Sequence, residues 1–141
     1  MDSRTKQAIA ALVLGFLSFS AAPADYLTNL RTLAGTPYST LNCSRYIETA
    51  KHAKHCGAAG MWTGCNGQAT VIAEFATKNF DRSILRAGDV LDFHGVHVAA
   101  FVGDGFMDSD PSHSGVGVIH LRTKTADPWF AGPVRIVRWN S

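Results

Sequence analysis

Apolar residues first recur at helical spacing at Tyr26, Leu27, Leu30 and Leu33, and the pattern stops at Gly35-Thr36-Pro37, where the chain must leave a helix. A second run, Cys43, Tyr46, Ile47 and Ala50, follows the i, i+3, i+4, i+7 rule, and Asn42 ahead of it is a good N-cap. Ala69, Ile72, Phe75 and Ala76 read as another amphipathic helix, entered from Asn66-Gly67 and ending near Asn79. After Gly88 the character turns to strands, expected at 89–93, 96–102, 106–109, 116–121 and 134–139 and separated by Gly, Asp and Pro turns. In the second of these, Val96, Val98, Ala100 and Val102 point one way while His97, Ala99 and Phe101 point the other. Both faces are largely apolar, so this strand is central. The expectation is an α+β fold, with N-terminal helices packed on a five-stranded antiparallel meander.

Composition narrows the class. At 141 residues, 46% apolar and 17% charged, the chain suits one folded domain, and no repeat or low-complexity tract interrupts 25–141. A net charge of +2 without a basic cluster argues against a nucleic-acid partner. The N-terminus has charged residues at Asp2, Arg4 and Lys6, an apolar run from Ala8 to Phe19, and then Ser20-Ala21-Ala22-Pro23-Ala24. That is the layout of a secretory signal, expected to span 1–24, with Ala22 and Ala24 as the small residues before cleavage. The run is shorter than the ~20 residues that span a bilayer, which disfavours a retained anchor or stable membrane insertion. The chain is expected to be exported, to a periplasm or outside the cell, as a monomer.

Three cysteines in an exported chain suggest one disulfide and one leftover thiol. Cys56 and Cys65 bracket a short Gly-rich loop and are paired on that ground, which leaves Cys43. A cysteine on the first turn of a helix meets unpaired backbone NH groups and the positive end of the helix dipole. These favour a thiolate, and they can bind an oxyanion. An imidazole within reach takes the thiol proton and later protonates a leaving amine. His97, on the central strand, is the candidate base. Its other nitrogen needs an orienting partner, and Asp108 on the next strand is placed for it, with Asp110 in reserve. With a two-residue turn at Asp104-Gly105, the even-numbered positions share the face of His97, which admits both aspartates and excludes Ser109.

Taken in order, Gly35-Thr36-Pro37-Tyr38, Asn42-Cys43-Ser44, Gly88-Asp89-Val90, the segment from His97 through Gly105, and Phe106-Met107-Asp108 resemble the successive motifs of the NlpC/p-sixty cysteine peptidases. The resemblance covers residues 26 to 139. It implies a papain-like fold and hydrolysis of amide bonds in peptidoglycan stem peptides without a cofactor. Position by position, it makes Cys43 the nucleophile, His97 the base and Asp108 the third polar residue, with Tyr38 and Ser44 at the oxyanion and substrate site. Two positions depart from the family pattern, Asn42 for its usual Asp and Arg45 for its usual Gly, and both line the cleft.

Other readings compete. A CHAP-type amidase shares the Cys-before-His order, and a secreted disulfide-braced binding module would keep the fold without activity. His52, His55, Cys56 and Cys65 could be written as a zinc set, but structural zinc sites have tighter paired spacings, so no metal is expected. His94, His113 and His120 receive no role. Trp129-Phe130 and Arg138-Trp139 are read as closing a core.

Overall fold

The computed structural model describes residues 24–121 and 128–141. The segment read as an export signal therefore lies outside the described residues up to residue 23. Helix α1 (Ala24–Thr32) buries Tyr26 and Leu30 and ends before Gly35, whose φ of +89° suits a residue without a Cβ. Helix α2 (Cys43–Lys51) starts at Asn42, whose side chain accepts from the NH of Arg45, and stops at His52 in a left-handed conformation. It buries Cys43, Tyr46, Ile47 and Ala50, the stripe that the spacing predicts. The segment expected as a Gly-rich loop forms a third helix, α3 (Gly57–Trp62), held by the Cys56–Cys65 disulfide and by Glu48. The buried Glu48 carboxylate accepts from the NH groups of Cys56 and Gly57 and contacts His55 Nδ1 at 2.7 Å, so donors at the start of α3 are satisfied from α2.

Residues 69–76 are not a helix. Ala69–Phe75 is strand β1, followed by β2 (Val90–Phe93), β3 (His97–Phe101), β4 (Phe106–Asp110), β5 (Gly115–Ile119) and β6 (Val134–Trp139). The helical reading put Ile72 in the core, yet Ile72 is 42% exposed, at a bulge between Val71 and Ala73. Ala69, Val71, Ala73 and Phe75 instead alternate inward against Thr70, Ile72 and Glu74. The β-branched run Thr70-Val71-Ile72 favours this, and pairing with β6 makes it.

The sheet therefore has six strands, not five, in the order β1-β6-β2-β3-β4-β5, and every pair is antiparallel. Only β2 to β5 run as a meander. The last strand returns across the sheet to lie between β1 and β2. One face carries the helices, with Tyr46, Ile47, Val98, Ala100 and Met107 in one cluster. Leu91, Phe93, Ala99, Phe106 and Phe130 form a second cluster of opposite strand parity. β3 is covered on both sides, as its composition predicts. Among the described residues no helix is long and apolar enough to cross a membrane.

Candidate active site

Cys43 is fixed by how residues 35–42 are held. The NH of Gly35 donates to Val116 O, and the NH of Val116 donates to Thr36 O, which ties this segment to β5. The approach is close because residue 115 is glycine. A Cβ there would lie 2.0 Å from Thr36 O and 2.9 Å from the NH nitrogen of Tyr38, and its φ is +120°. On the neighbouring strand the Ser109 hydroxyl donates to Leu41 O. Ser109 is thus excluded from the face of His97, as its parity predicts, and it anchors the chain just before the Asn42 cap. The thiol of Cys43, buried and outside the disulfide, then heads α2.

The first turn of α2 has its own bookkeeping. The NH of Arg45 goes to Asn42 Oδ1 and that of Tyr46 to Asn42 O, which leaves those of Cys43 and Ser44 for an incoming oxyanion. The Ser44 hydroxyl donates to Asn42 Oδ1 at 3.2 Å, so this residue offers the cleft its backbone, not its side chain. Tyr38 is half-buried, and its ring lies 6.3 Å from Trp129. Burial first, and then the charges of Cys43 and Asp110, hold its hydroxyl above the usual phenol range, so it stays a donor.

His97 opens β3 with its side chain fully buried. Its Nε2 contacts Asp108 Oδ2 at 2.7 Å, on β4, and the other oxygen, Oδ1, contacts His113 Nε2 at 2.7 Å. A carboxylate only accepts, so both imidazoles donate from Nε2. His97 Nδ1 is then left as the lone-pair atom, and it has no partner within hydrogen-bond geometry. Burial alone would lower the pKa of His97. The hydrogen bond to Asp108, then the interaction with Cys43 and the two charges, outweigh it and push it up to about 9. Because Nε2 is committed to Asp108, Nδ1 is the atom left to face the Cys43 thiol, outside hydrogen-bond geometry in this structure. Trp129 stacks on the imidazole at 4.6 Å, with Phe130 edge-on at 5.3 Å and Phe93 at 6.4 Å. This aromatic box keeps water off the His97–Asp108 bond.

Of the two aspartates that parity admits, His97 touches Asp108. Asp110 Oδ1 accepts from the NH of Ser112 and caps the short turn Pro111–His113. The β3–β4 turn is closed by the NH of Val102 donating to Gly105 O, with Phe101 opposite Phe106, so it centres on Gly103-Asp104, one residue before the expected Asp104-Gly105. The change shifts register by two residues, which preserves parity. Sequence reasoning missed His113 and left Trp129 in the core. Asp110-Pro111-Ser112 is the local signal for the turn that folds His113 back, but its target five residues upstream belongs to tertiary structure.

Donor atoms of His97, Asp108 and Asp110 lie within 4.8 Å of one another. Both Asp108 oxygens contact imidazoles, and Asp110 Oδ1 caps a turn. Another buried acid, Asp92, lies on β2 beside the β2–β3 turn. Asp92 Oδ1 accepts from the NH of Gly95, while Oδ2 has no partner. Burial raises this carboxyl to about 7 against the opposing effects of Gly95, His97 and Arg135. Comparison with known protein families, curated proteins and solved structures found no match to this chain.

Proposed function

We propose that this chain is a papain-like cysteine hydrolase of the NlpC type that cuts an amide bond in peptidoglycan stem peptides. One observation carries the reading: a thiol at a helix N-terminus interacts with a buried histidine whose far nitrogen is held by an aspartate. A structural thiol and a satisfied core histidine would not require each other or the aspartate. Of the five motifs of the resemblance, those at 35–38, 42–44, 97–105 and 106–108 fall on the segments that build this site, which supports the family reading. The Cys56–Cys65 disulfide supports export.

The chemistry follows from the geometry. Cys43 passes its proton to His97 Nδ1, and the resulting imidazolium, bonded to Asp108, pairs with the thiolate. The sulfur attacks the substrate carbonyl carbon, and the oxyanion meets the NH groups of Cys43 and Ser44 with the Tyr38 hydroxyl nearby. His97 returns the proton to the leaving amine, and the C–N bond breaks to give an acyl-enzyme. Water, deprotonated by the now neutral imidazole, cleaves the thioester and restores the pair. No cofactor enters.

The test is to incubate the protein and its Cys43→Ala variant with purified peptidoglycan and muropeptides and to identify soluble products by mass spectrometry. Stem-peptide fragments from the wild type alone are expected, and their ends name the bond, separating an endopeptidase from a CHAP-type amidase. Absence of products from both, with a thiol inert to iodoacetamide, would refute the hydrolase and leave the binding module.

A further inference from the structure

We infer that His113 is a positioning residue that completes a four-member chain, Cys43–His97–Asp108–His113, by fixing the rotation of the Asp108 carboxylate. The inference rests on the proposed hydrolase reading of Cys43 and His97. Asp108 is fully buried, and a carboxylate there with one oxygen on His97 and the other unheld could turn about its terminal torsion, which is soft and roughly two-fold. The 2.7 Å contact from His113 Nε2 to Oδ1 removes that freedom and keeps Oδ2 on His97.

The local structure is built around this contact. Asp110 Oδ1 accepts from Ser112 and Pro111 begins the turn, which folds the chain back over β4. Ser114 at φ 68° and Gly115 at φ 120° then reverse the chain into β5, so His113 stands above the strand pair it has just left. Gly117, on β5 opposite Asp108, leaves space for the ring. A Cβ at Gly117 would meet His113 Nδ1 at 3.1 Å. The His113 side chain is 29% exposed while His97 and Asp108 are fully covered. His113 is thus the one member of the chain with substantial access to solvent.

The experiment compares wild type, His113→Ala and His113→Gln, the last keeping a neutral donor at the reach of Nε2. Two readouts need no wall substrate. One is the rate at pH 6 at which the Cys43 thiolate displaces iodide from iodoacetamide, forming the S–C bond. The other is the downfield proton resonance of the His97 Nε2–H bonded to Asp108. In His113→Ala, the alkylation rate and kcat on wall peptides should fall roughly tenfold with KM unchanged, as expected for loss of about one charge-assisted hydrogen bond, and the resonance should broaden. His113→Gln should restore all three.

Wild-type values in His113→Ala, or a Gln variant as defective as Ala, would overturn the inference. Should His113→Ala fail to fold, Gly117→Ala gives the same reading by crowding the ring: a parallel loss supports the inference and wild-type values overturn it. If wild type leaves wall peptides intact while alkylation still responds to His113, the substrate reading fails and the positioning role stands.

Discussion

Replacing Asp108 by Asn should lower the pH at which His97 gives up its proton. His97 is held at about 9 although burial works against its charged form, so Asp108 and Cys43 together supply more than the whole rise from 6.5. The hydrogen bond to Asp108 is the largest upward contribution. Asp108 is therefore the main reason that His97 stays charged well above its ordinary range, and losing it moves the titration down toward that range. Asparagine keeps the shape but offers one neutral carbonyl oxygen where two charged oxygens now accept from two imidazoles, so one imidazole loses its acceptor. A pH titration of the His97 ring by NMR reads the effect directly, and the alkaline limit of wall-peptide hydrolysis should move with it. Stability gives an independent check. A histidine whose folded pKa is raised stabilises the fold fully below about 6.5, and that contribution is lost as pH rises through about 9. The variant should therefore be weaker than wild type at pH 6 and should lose this part of its deficit above pH 9. His97 titrating near 9 in both proteins would refute the reasoning.

Three further outcomes are expected. Asp92 is an acid whose folded pKa is raised to about 7, so its stabilising contribution is complete below about 3.9 and disappears as pH climbs through 7. Urea unfolding from pH 4 to 8 should show wild type losing about 4 kcal/mol that Asp92→Asn does not lose, and parallel curves would contradict this. Gly115→Ala should drive the Thr36 carbonyl and Tyr38 off β5, costing at least about 2 kcal/mol and most of the hydrolysis rate; thermal melts and kcat together read it, and a wild-type melt would sink the idea. The double change Cys56→Ser with Cys65→Ser opens a loop of sequence separation 9 and should cost about 2.5 kcal/mol, measured by denaturant titration, with reductant having no effect on the variant.

Much of the setting of Cys43 is local and was legible. The Asn42 cap, the burial stripe of α2 and the place of Cys43 on its first turn depend on contacts within four residues, and caps and helical period act over that range. The disulfide followed from cysteine number and a short intervening loop. Alternation along 96–102 identified a strand covered on both faces, and parity put His97 with Asp108 and Asp110 but apart from Ser109.

Other features belong to pairing between distant segments. Residues 69–76 carry both a helical and an alternating pattern, and it is β6, some sixty residues on, that makes β1 a strand by taking up its backbone hydrogen bonds. Alternation states that 134–139 is a strand but not that it lies between β1 and β2. The selection of Asp108 over Asp110, the return of His113 onto Asp108, and the stacking of Trp129 on His97 all join residues whose neighbours in sequence do not encode the contact. The sequence by itself thus determined the cap and buried stripe of α2, the thiol left outside the disulfide and the face of the sheet on which His97 lies. The tertiary structure decided which groups close around His97, because side-chain hydrogen bonds and ring contacts form only once distant strands have fixed their register.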